Sequence, residues 1–246
     1  MKLYLIPVEK LCNASCGFCI TDSRKTSDKE FIDIGDLDKI IRSFVHQEIE
    51  KIEITGGGEP TLHPHLNEII DICSSKTKTQ LYTNGSTFLR KIKNLDELEY
   101  LCISRTHYDE RENERIMGIK QDISYIKLGS TPIKLSLILL KSGINKRKEI
   151  LSYLHWAEKF AKKVVIRQLF QHDDPFYQEK FKEEFVSTEK LAGDLNLDYK
   201  IMNNGNRTFR INNLEVEIEQ RSCACEISNL VLHADGKLYK GWGQTI

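Results

Sequence analysis

Short runs of β-branched and aromatic residues alternate along the chain with segments in which apolar residues recur at helical spacing. The first pair consists of a predicted strand, Lys2–Val8, and a predicted amphipathic helix, Gly35–Ile49. The alternation continues to a sixth predicted strand, Lys163–Phe170. The strands between these are Lys51–Thr55, Thr79–Thr83, Leu98–Ser104 and Pro132–Lys141, and the further helices are His63–Ser75, Phe88–Lys93, Asp109–Ile126 and Lys148–Phe160.

This order of elements predicts an α/β fold, a partial (β/α)6 TIM-like barrel with parallel strands inside and helices outside. In such folds the functional side chains gather at the carboxyl ends of the strands. We therefore expect the chemistry of this chain in the segments that directly follow the predicted strands.

The last fifth of the chain has a different pattern. Two β-hairpins are predicted there, Thr208–Glu219 with a turn near Asn212–Asn213, and Ser228–Trp242 with a turn at Asp235–Gly236. The sequence thus predicts a barrel domain over residues 1–194 and a small C-terminal β-rich appendage over residues 195–246.

Composition describes an ordinary globular protein with no charge bias. Of 246 residues, 36 are Lys or Arg and 36 are Asp or Glu, so the net charge is zero and nothing global attracts nucleic acid or a membrane surface. No apolar run approaches the roughly 18 residues of a membrane span, and the N-terminal apolar run is too short for a signal peptide. We expect a cytoplasmic protein, in which seven cysteines favour metal or redox chemistry over disulfides.

Three of these cysteines, Cys12, Cys16 and Cys19, lie in the stretch KLCNASCGFCITDS after the first predicted strand. Thiolate-rich sites select zinc, Cu(I) or iron–sulfur clusters. A structural zinc ion takes four protein ligands, and so, usually, does a [4Fe–4S] cluster. A cluster held by three cysteines instead leaves one iron open to a small molecule.

The Cys-x3-Cys-x2-Cys spacing resembles the signature of the radical S-adenosylmethionine (radical SAM) superfamily. Three further passages carry the same resemblance, each at the end of a predicted strand. They are TGGGEPTL (Thr55–Leu62), which resembles the Gly-Gly-Glu motif of the family, YTNG (Tyr82–Gly85) and ISRTH (Ile103–His107). The resemblance extends over about Lys2–Phe170.

The resemblance implies that Cys12, Cys16 and Cys19 bind three irons of a [4Fe–4S] cluster, while S-adenosylmethionine chelates the fourth. Reductive cleavage then gives a 5′-deoxyadenosyl radical that abstracts a hydrogen atom from substrate. The implied cofactor contacts are Phe18 for the adenine; Gly57, Gly58 and Glu59 for the methionyl ammonium; Asn84 and Ser104 for the ribose or carboxylate; and Arg167 for the carboxylate.

Arg105, His107 and Tyr108 follow the fourth strand and are predicted substrate contacts, although the charge run behind them is typical of a solvated helix face. Because the sequence starts directly with the first strand, a small-molecule, nucleoside or sugar substrate is expected. A peptide- or protein-modifying enzyme, such as an epimerase, cyclase or activase, is the alternative. The family implies an electron donor such as flavodoxin or ferredoxin.

The C-terminal tail resembles a degenerate twitch or SPASM region, which binds auxiliary clusters in many radical SAM enzymes. Cys223 and Cys225 precede its second hairpin, but Gly241 stands where a further cysteine is expected. An auxiliary cluster, a hydrogen donor and a structural role all stay open for the two cysteines. Two other functional classes stay open as well: a zinc-stabilised binding module completed by His63 or His65, and an iron–sulfur electron carrier.

Overall fold

The computed structural model describes residues 1–21, 30–43, 49–121, 123, 130–169, 179, 181–195, 197–219, 229–241 and 244–245. These residues form one twelve-stranded sheet with helices packed against it. The strands are β1 (Lys2–Leu5), β2 (Lys51–Ile54), β3 (Lys78–Thr83), β4 (Tyr100–Ser104), β5 (Ile133–Ile138), β6 (Lys163–Arg167), β7 (Lys200–Ile201), β8 (Arg207–Ile211), β9 (Leu214–Ile218), β10 (Leu230–Leu232), β11 (Leu238–Lys240) and β12 (Gln244–Thr245). The helices are α1 (Ile34–Ser43), α2 (Leu66–Ser74), α3 (Glu110–Met117), α4 (Arg147–Ala157) and α5 (Thr188–Leu195).

Eight neighbouring strands of the sheet run parallel, in the order β10-β1-β2-β3-β4-β5-β6-β9. Antiparallel strands extend both edges, with β11 and β12 beyond β10, and β8 and β7 beyond β9. Because the sheet ends at β12 and β7, it is an open barrel within the described residues. The predicted α/β TIM-like fold is confirmed.

Both predicted C-terminal hairpins form, with turns at the predicted residues. Both hairpins extend the central sheet: β9 pairs with β6, and β10 pairs with β1. Without them β1 and β6 would be edge strands with unpaired backbone N–H and C=O groups. Cys223 and Cys225 lie outside the described residues.

The strand alternation separates two faces of the sheet. Apolar side chains such as Leu5, Ile54 and Leu135 pack against the helices in one large core. The opposite, inner face carries buried polar side chains, which include Glu53, Gln80, Lys134 and Ser136, together with the half-buried Tyr82. The inner face is therefore suited to polar ligands rather than to a purely apolar core.

Local capping sets the length of α3. The side chain of Asp109 accepts hydrogen bonds from the backbone N–H groups of Arg111 and Glu112, and Gly118 ends the helix with a φ of 65°. The sequence predicted a helix as far as Ile126, but the helix ends at Met117 because Gly118 is a left-handed cap. No helix in the described part of the chain is long and apolar enough to span a membrane.

Candidate cofactor site at the carboxyl ends of the strands

A cavity of about 570 Å³ opens where β2 to β6 end. Its wall is formed by the segment that follows β1 and by residues at the ends of the next five strands. Ten of the predicted site residues line it, and these are Cys12, Cys16, Cys19, Phe18, Gly57, Gly58, Glu59, Asn84, Ser104 and Arg167. The structure thus brings together residues that are up to 155 positions apart in sequence (167 − 12).

The cysteine loop is held by the neighbouring elements. Asn84 Nδ2 lies 3.9 Å from Cys12 Sγ and donates a hydrogen bond to Asn13 Oδ1 at 2.7 Å. The Cys16 thiol donates to the backbone carbonyl of Met117 at 3.4 Å, and the Met117 thioether lies 3.8 Å from the same sulfur. The loop is therefore fixed at one end by β3 and at the other by the end of α3.

The three thiols of the cysteine loop line one cavity wall and match the donors of a [4Fe–4S] cluster, in which each cysteine binds a different iron. Both ring nitrogens of His63, a candidate fourth zinc ligand, already have backbone partners, namely Ile32 O at 3.1 Å and the N–H of His65 at 3.1 Å.

Without a metal, the interior of the protein favours the protonated form of the Cys12 and Cys16 thiols. Burial, followed by the neighbouring Cys19 and Cys12 thiols, raises the pKa of Cys16 to about 12. Burial also raises the pKa of Cys12. A metal ligand must be the thiolate, so loading of this site releases protons. Cys73 and Cys102, by contrast, are buried in the core and the inner face of the sheet and lie outside the cavity wall.

The three glycines after β2 allow close backbone contacts with the segment that leads into the cysteine loop. A Cβ atom on Gly58 would lie 2.0 Å from the carbonyl oxygen of Leu11, and one on Gly57 would lie 2.7 Å from Glu9 Oε2. The N–H groups of Gly58 and Glu59 donate to the carbonyls of Val8 and Leu11 at 2.9 and 2.8 Å. Close packing of two backbones therefore requires glycine at Gly58, while a Cβ atom on Gly57 would meet the Glu9 side chain.

Glu59 lies at the base of the cavity and is 2% exposed. Its Oε1 accepts three hydrogen bonds, from Thr61 N, Thr61 Oγ1 and Thr83 Oγ1, while Oε2 accepts one from the backbone N–H of Asn84 at 2.7 Å. Burial raises the pKa of Glu59, and these hydrogen bonds act in the opposite direction. Oε2 therefore accepts fewer hydrogen bonds than Oε1 and is the oxygen with acceptor capacity left for a ligand.

Two further parts of the wall differ in polarity. Phe18 packs with Leu169 and Ile138 to form an apolar side. On the inner face of the sheet, Arg167 forms an ion pair with Glu219 at 2.9 Å and donates to Ser136 Oγ at 3.3 Å. Burial lowers the pKa of Arg167, but the nearby Glu219, Tyr82 and Glu53 side chains together raise this pKa by more. Arg167 is therefore a firmly charged cation at the cavity.

Arg105, His107 and Tyr108 are absent from the cavity wall in the described structure. Arg105 is 1% exposed, and its guanidinium donates to the carbonyls of His107 and Tyr108 and to Gln121 Oε1. The His107 and Tyr108 rings stack on each other at 4.6 Å. The structure thus gives Arg105 internal hydrogen bonds and stacks His107 on Tyr108, so none of the three is placed at the cavity.

Sequence reasoning missed several cavity residues. Tyr82, Ser136 and Met117 also line the wall. The Tyr82 hydroxyl accepts a hydrogen bond from the buried Lys134 ammonium at 2.9 Å, and burial raises the pKa of Tyr82 well above its ordinary value. Tyr82 could have been assigned to the site from its place in the YTNG motif at the end of β3. No sequence signal marks Met117 or Gln121.

Comparison with known proteins places this geometry in a family. Residues 6–128, half of the chain, match the family model described as the Radical SAM superfamily. The chain belongs to the radical SAM superfamily. This superfamily uses S-adenosylmethionine and a [4Fe–4S] cluster, so both predicted cofactors and the prediction of an enzyme are confirmed.

Among its radical SAM relatives is the GTP 3′,8-cyclase of Haemophilus ducreyi, which is 28% identical over 217 residues. That alignment covers 81% of this chain and 63% of the relative, so the chain spans less than two thirds of the length of this protein. The structure of Streptococcus suis SuiB bound to S-adenosylmethionine has a TM-score of 0.67 at 15% identity and covers 96% of this chain and 59% of SuiB. Native anSMEcpe with bound AdoMet has a TM-score of 0.58 at 14% identity, over 97% of this chain and 73% of its own. These two likenesses show the fold.

Proposed function

We propose that Cys12, Cys16 and Cys19 bind the [4Fe–4S] cluster and that the adjoining cavity binds S-adenosylmethionine. The single observation that carries this proposal is the shared cavity: the three thiols and the Gly57–Glu59 segment line the same wall. A cluster bound by three cysteines keeps one iron without a protein ligand. The cavity that the three thiols line also presents hydrogen-bond acceptors and a cation.

The chain supplies binding and orientation. Glu59 Oε2 is the acceptor for the methionyl ammonium, and Arg167 is the cation for a carboxylate. Phe18 contributes the apolar surface for the adenine. When bound, the cluster would supply one electron for reductive cleavage of S-adenosylmethionine to methionine and a 5′-deoxyadenosyl radical, which would abstract a hydrogen atom from substrate.

The proposed substrate is a small molecule, and nucleosides and nucleotides are the preferred candidates. This choice is supported by the 28% identity to a GTP 3′,8-cyclase over most of this chain. The polar inner face, where Tyr82, Ser136 and Arg167 reach the cavity, offers hydrogen bonds to such a substrate. A low-potential electron donor such as flavodoxin or ferredoxin completes the proposed reaction.

Anaerobic reconstitution with iron and sulfide, followed by dithionite and S-adenosylmethionine, tests the proposal. We expect four irons per chain and release of 5′-deoxyadenosine. Single substitutions Cys12→Ala, Cys16→Ala and Cys19→Ala are expected to abolish the product, whereas Cys73→Ala, a matched control at a buried cysteine outside the cavity, is expected to retain it. Stoichiometric zinc without a cluster, or product from any of the three variants, would contradict the assignment.

A further inference from the structure

We propose that Gln121 is a positioning residue that fixes the ends of β3 and β4 relative to the cysteine loop. This inference rests on the proposed function of the cavity. Gln121 lies three residues after Gly118, which ends α3, and it is 4% exposed. It does not line the cavity and so acts through other residues.

The amide nitrogen of Gln121 joins the two strand ends. Its Nε2 donates to the backbone carbonyl of Ser104 at 2.7 Å and to the backbone carbonyl of Asn84. Ser104 is the last residue of β4 and Asn84 directly follows β3, and both line the cavity. A primary amide has two N–H donors. Gln121 uses both to hold together two neighbouring strand ends of the cofactor wall.

The amide oxygen of Gln121 is fixed as well. Its Oε1 accepts from Asn113 Nδ2 at 2.7 Å and from Arg105 Nη1 at 3.0 Å. Asn113 Oδ1 in turn accepts from the backbone N–H groups of Thr106 and His107 at 2.9 and 3.2 Å. A buried polar network in which each member is satisfied is rigid, so the position of Gln121 is determined by α3 and by the segment after β4.

The same segment of chain also contacts the cysteine loop. The carbonyl of Met117 accepts from the backbone N–H of Ser15 at 3.1 Å and from the Cys16 thiol. A Cβ atom on Gly118 would lie 1.9 Å from Ser15 Oγ, so the loop sits directly on the end of α3. Residues 113–121 therefore touch the proposed cluster ligands at one point and the proposed S-adenosylmethionine wall at another, and they set the distance between them.

Removal of the Gln121 donors takes a hydrogen-bond partner from the backbone carbonyls of Asn84 and Ser104, which costs free energy in the interior. Movement of the two strand ends lowers this free-energy cost. Gln121→Leu removes the donors and the acceptor. Gln121→Glu keeps the size, the acceptor and the contact with the Arg105 guanidinium but lacks both donors. Lys120→Gln, at the exposed neighbouring residue, is the matched control.

The experiment compares these variants after anaerobic reconstitution. It measures iron content, the thermal unfolding midpoint, and the Kd of S-adenosylmethionine from its effect on the EPR spectrum of the reduced cluster. We expect Gln121→Leu and Gln121→Glu to keep the wild-type iron content and to raise the Kd by about 5- to 30-fold. Lys120→Gln is expected to match the wild type in all three measurements.

Other outcomes overturn the inference. A lower unfolding midpoint with an unchanged Kd would mean that Gln121 stabilises the fold only, and loss of iron along with affinity would mean that it supports the cysteine loop generally. If Gln121→Leu does not fold, Gln121→Glu decides, because its carboxylate still pairs with Arg105. A wild-type cluster that does not respond to S-adenosylmethionine would contradict the proposed function itself, which distinguishes the two failures.

Discussion

Glu9 and His233 are 224 residues apart in sequence, yet Glu9 Oε1 and His233 Nδ1 lie 2.6 Å apart in the interior of the protein. Both side chains are almost fully buried. Glu9 directly precedes the segment that leads into the cysteine loop, and His233 directly follows β10. The second C-terminal hairpin thus contacts the segment between β1 and the cysteine loop through a buried polar pair, in addition to its pairing with β1.

His233→Leu is expected to lower the free energy of unfolding by about 3 kcal/mol, because it leaves the buried Glu9 carboxylate without a partner. The double variant Glu9→Leu, His233→Leu removes both polar groups and is expected to recover at least about 1 kcal/mol of that loss. Urea unfolding at neutral pH of both single variants, Glu9→Leu and His233→Leu, and of the double variant measures these changes. Strictly additive losses for the two substitutions would show that the pair is not coupled.

Gly58→Ala is expected to reduce both stability and cofactor binding. The added methyl group would meet the carbonyl oxygen of Leu11 at 2.0 Å, which requires backbone movement at a cost of about 1–3 kcal/mol. We expect at least a several-fold weaker binding of S-adenosylmethionine, measured by equilibrium titration of the reconstituted protein.

Gly17→Ala is the matched control for this prediction, since Gly17 lies within the cysteine loop and a Cβ atom there has no neighbour within 4 Å. It is expected to bind iron and cofactor as the wild type does. Equal binding by Gly58→Ala and Gly17→Ala would exclude the close approach at Gly58 as a determinant of the site.

The lowered pKa of His63 is expected to make the stability of the protein depend on pH. Burial lowers the pKa of His63 below its ordinary value near 6.5, although the Ile32 carbonyl acts in the opposite direction. Between the lowered pKa and pH 6.5 the unfolded chain binds more protons, so stability rises with pH in this window and is complete above it. Burial also lowers the pKa of His107, which adds to the same trend.

Urea unfolding of the wild type and of His63→Gln between pH 5 and 7.5 tests this effect. We expect a smaller rise of stability with pH in the variant, with part of the slope retained because of His107. Identical slopes would assign the dependence to other groups.

The parts of the fold that sequence could predict are those governed by local pattern. Strand alternation located β1 to β6, and the Asp235–Gly236 turn located the second hairpin, because both follow from period and turn chemistry. The attachment of β10 to β1 could not be predicted, since it depends on which edge strand is available in three dimensions.

The candidate site shows the same division. Cys12, Cys16 and Cys19 were identified from spacing, because their function requires a fixed local arrangement. The position of Arg105 after β4 predicts a place at the cavity. Its guanidinium instead donates to Gln121, which lies 16 residues later in the sequence. A buried hydrogen-bond network of this kind leaves no periodic signal in the sequence.

The most direct test of the central claim is the EPR spectrum of the reduced, reconstituted protein before and after addition of S-adenosylmethionine. Binding of the cofactor at an iron that lacks a protein ligand changes the environment of the cluster. We therefore predict a [4Fe–4S] signal whose g-values shift on titration with S-adenosylmethionine. S-adenosylhomocysteine at the same occupancy is expected to give a weaker shift. A cluster signal that stays unchanged at saturating S-adenosylmethionine would contradict the account.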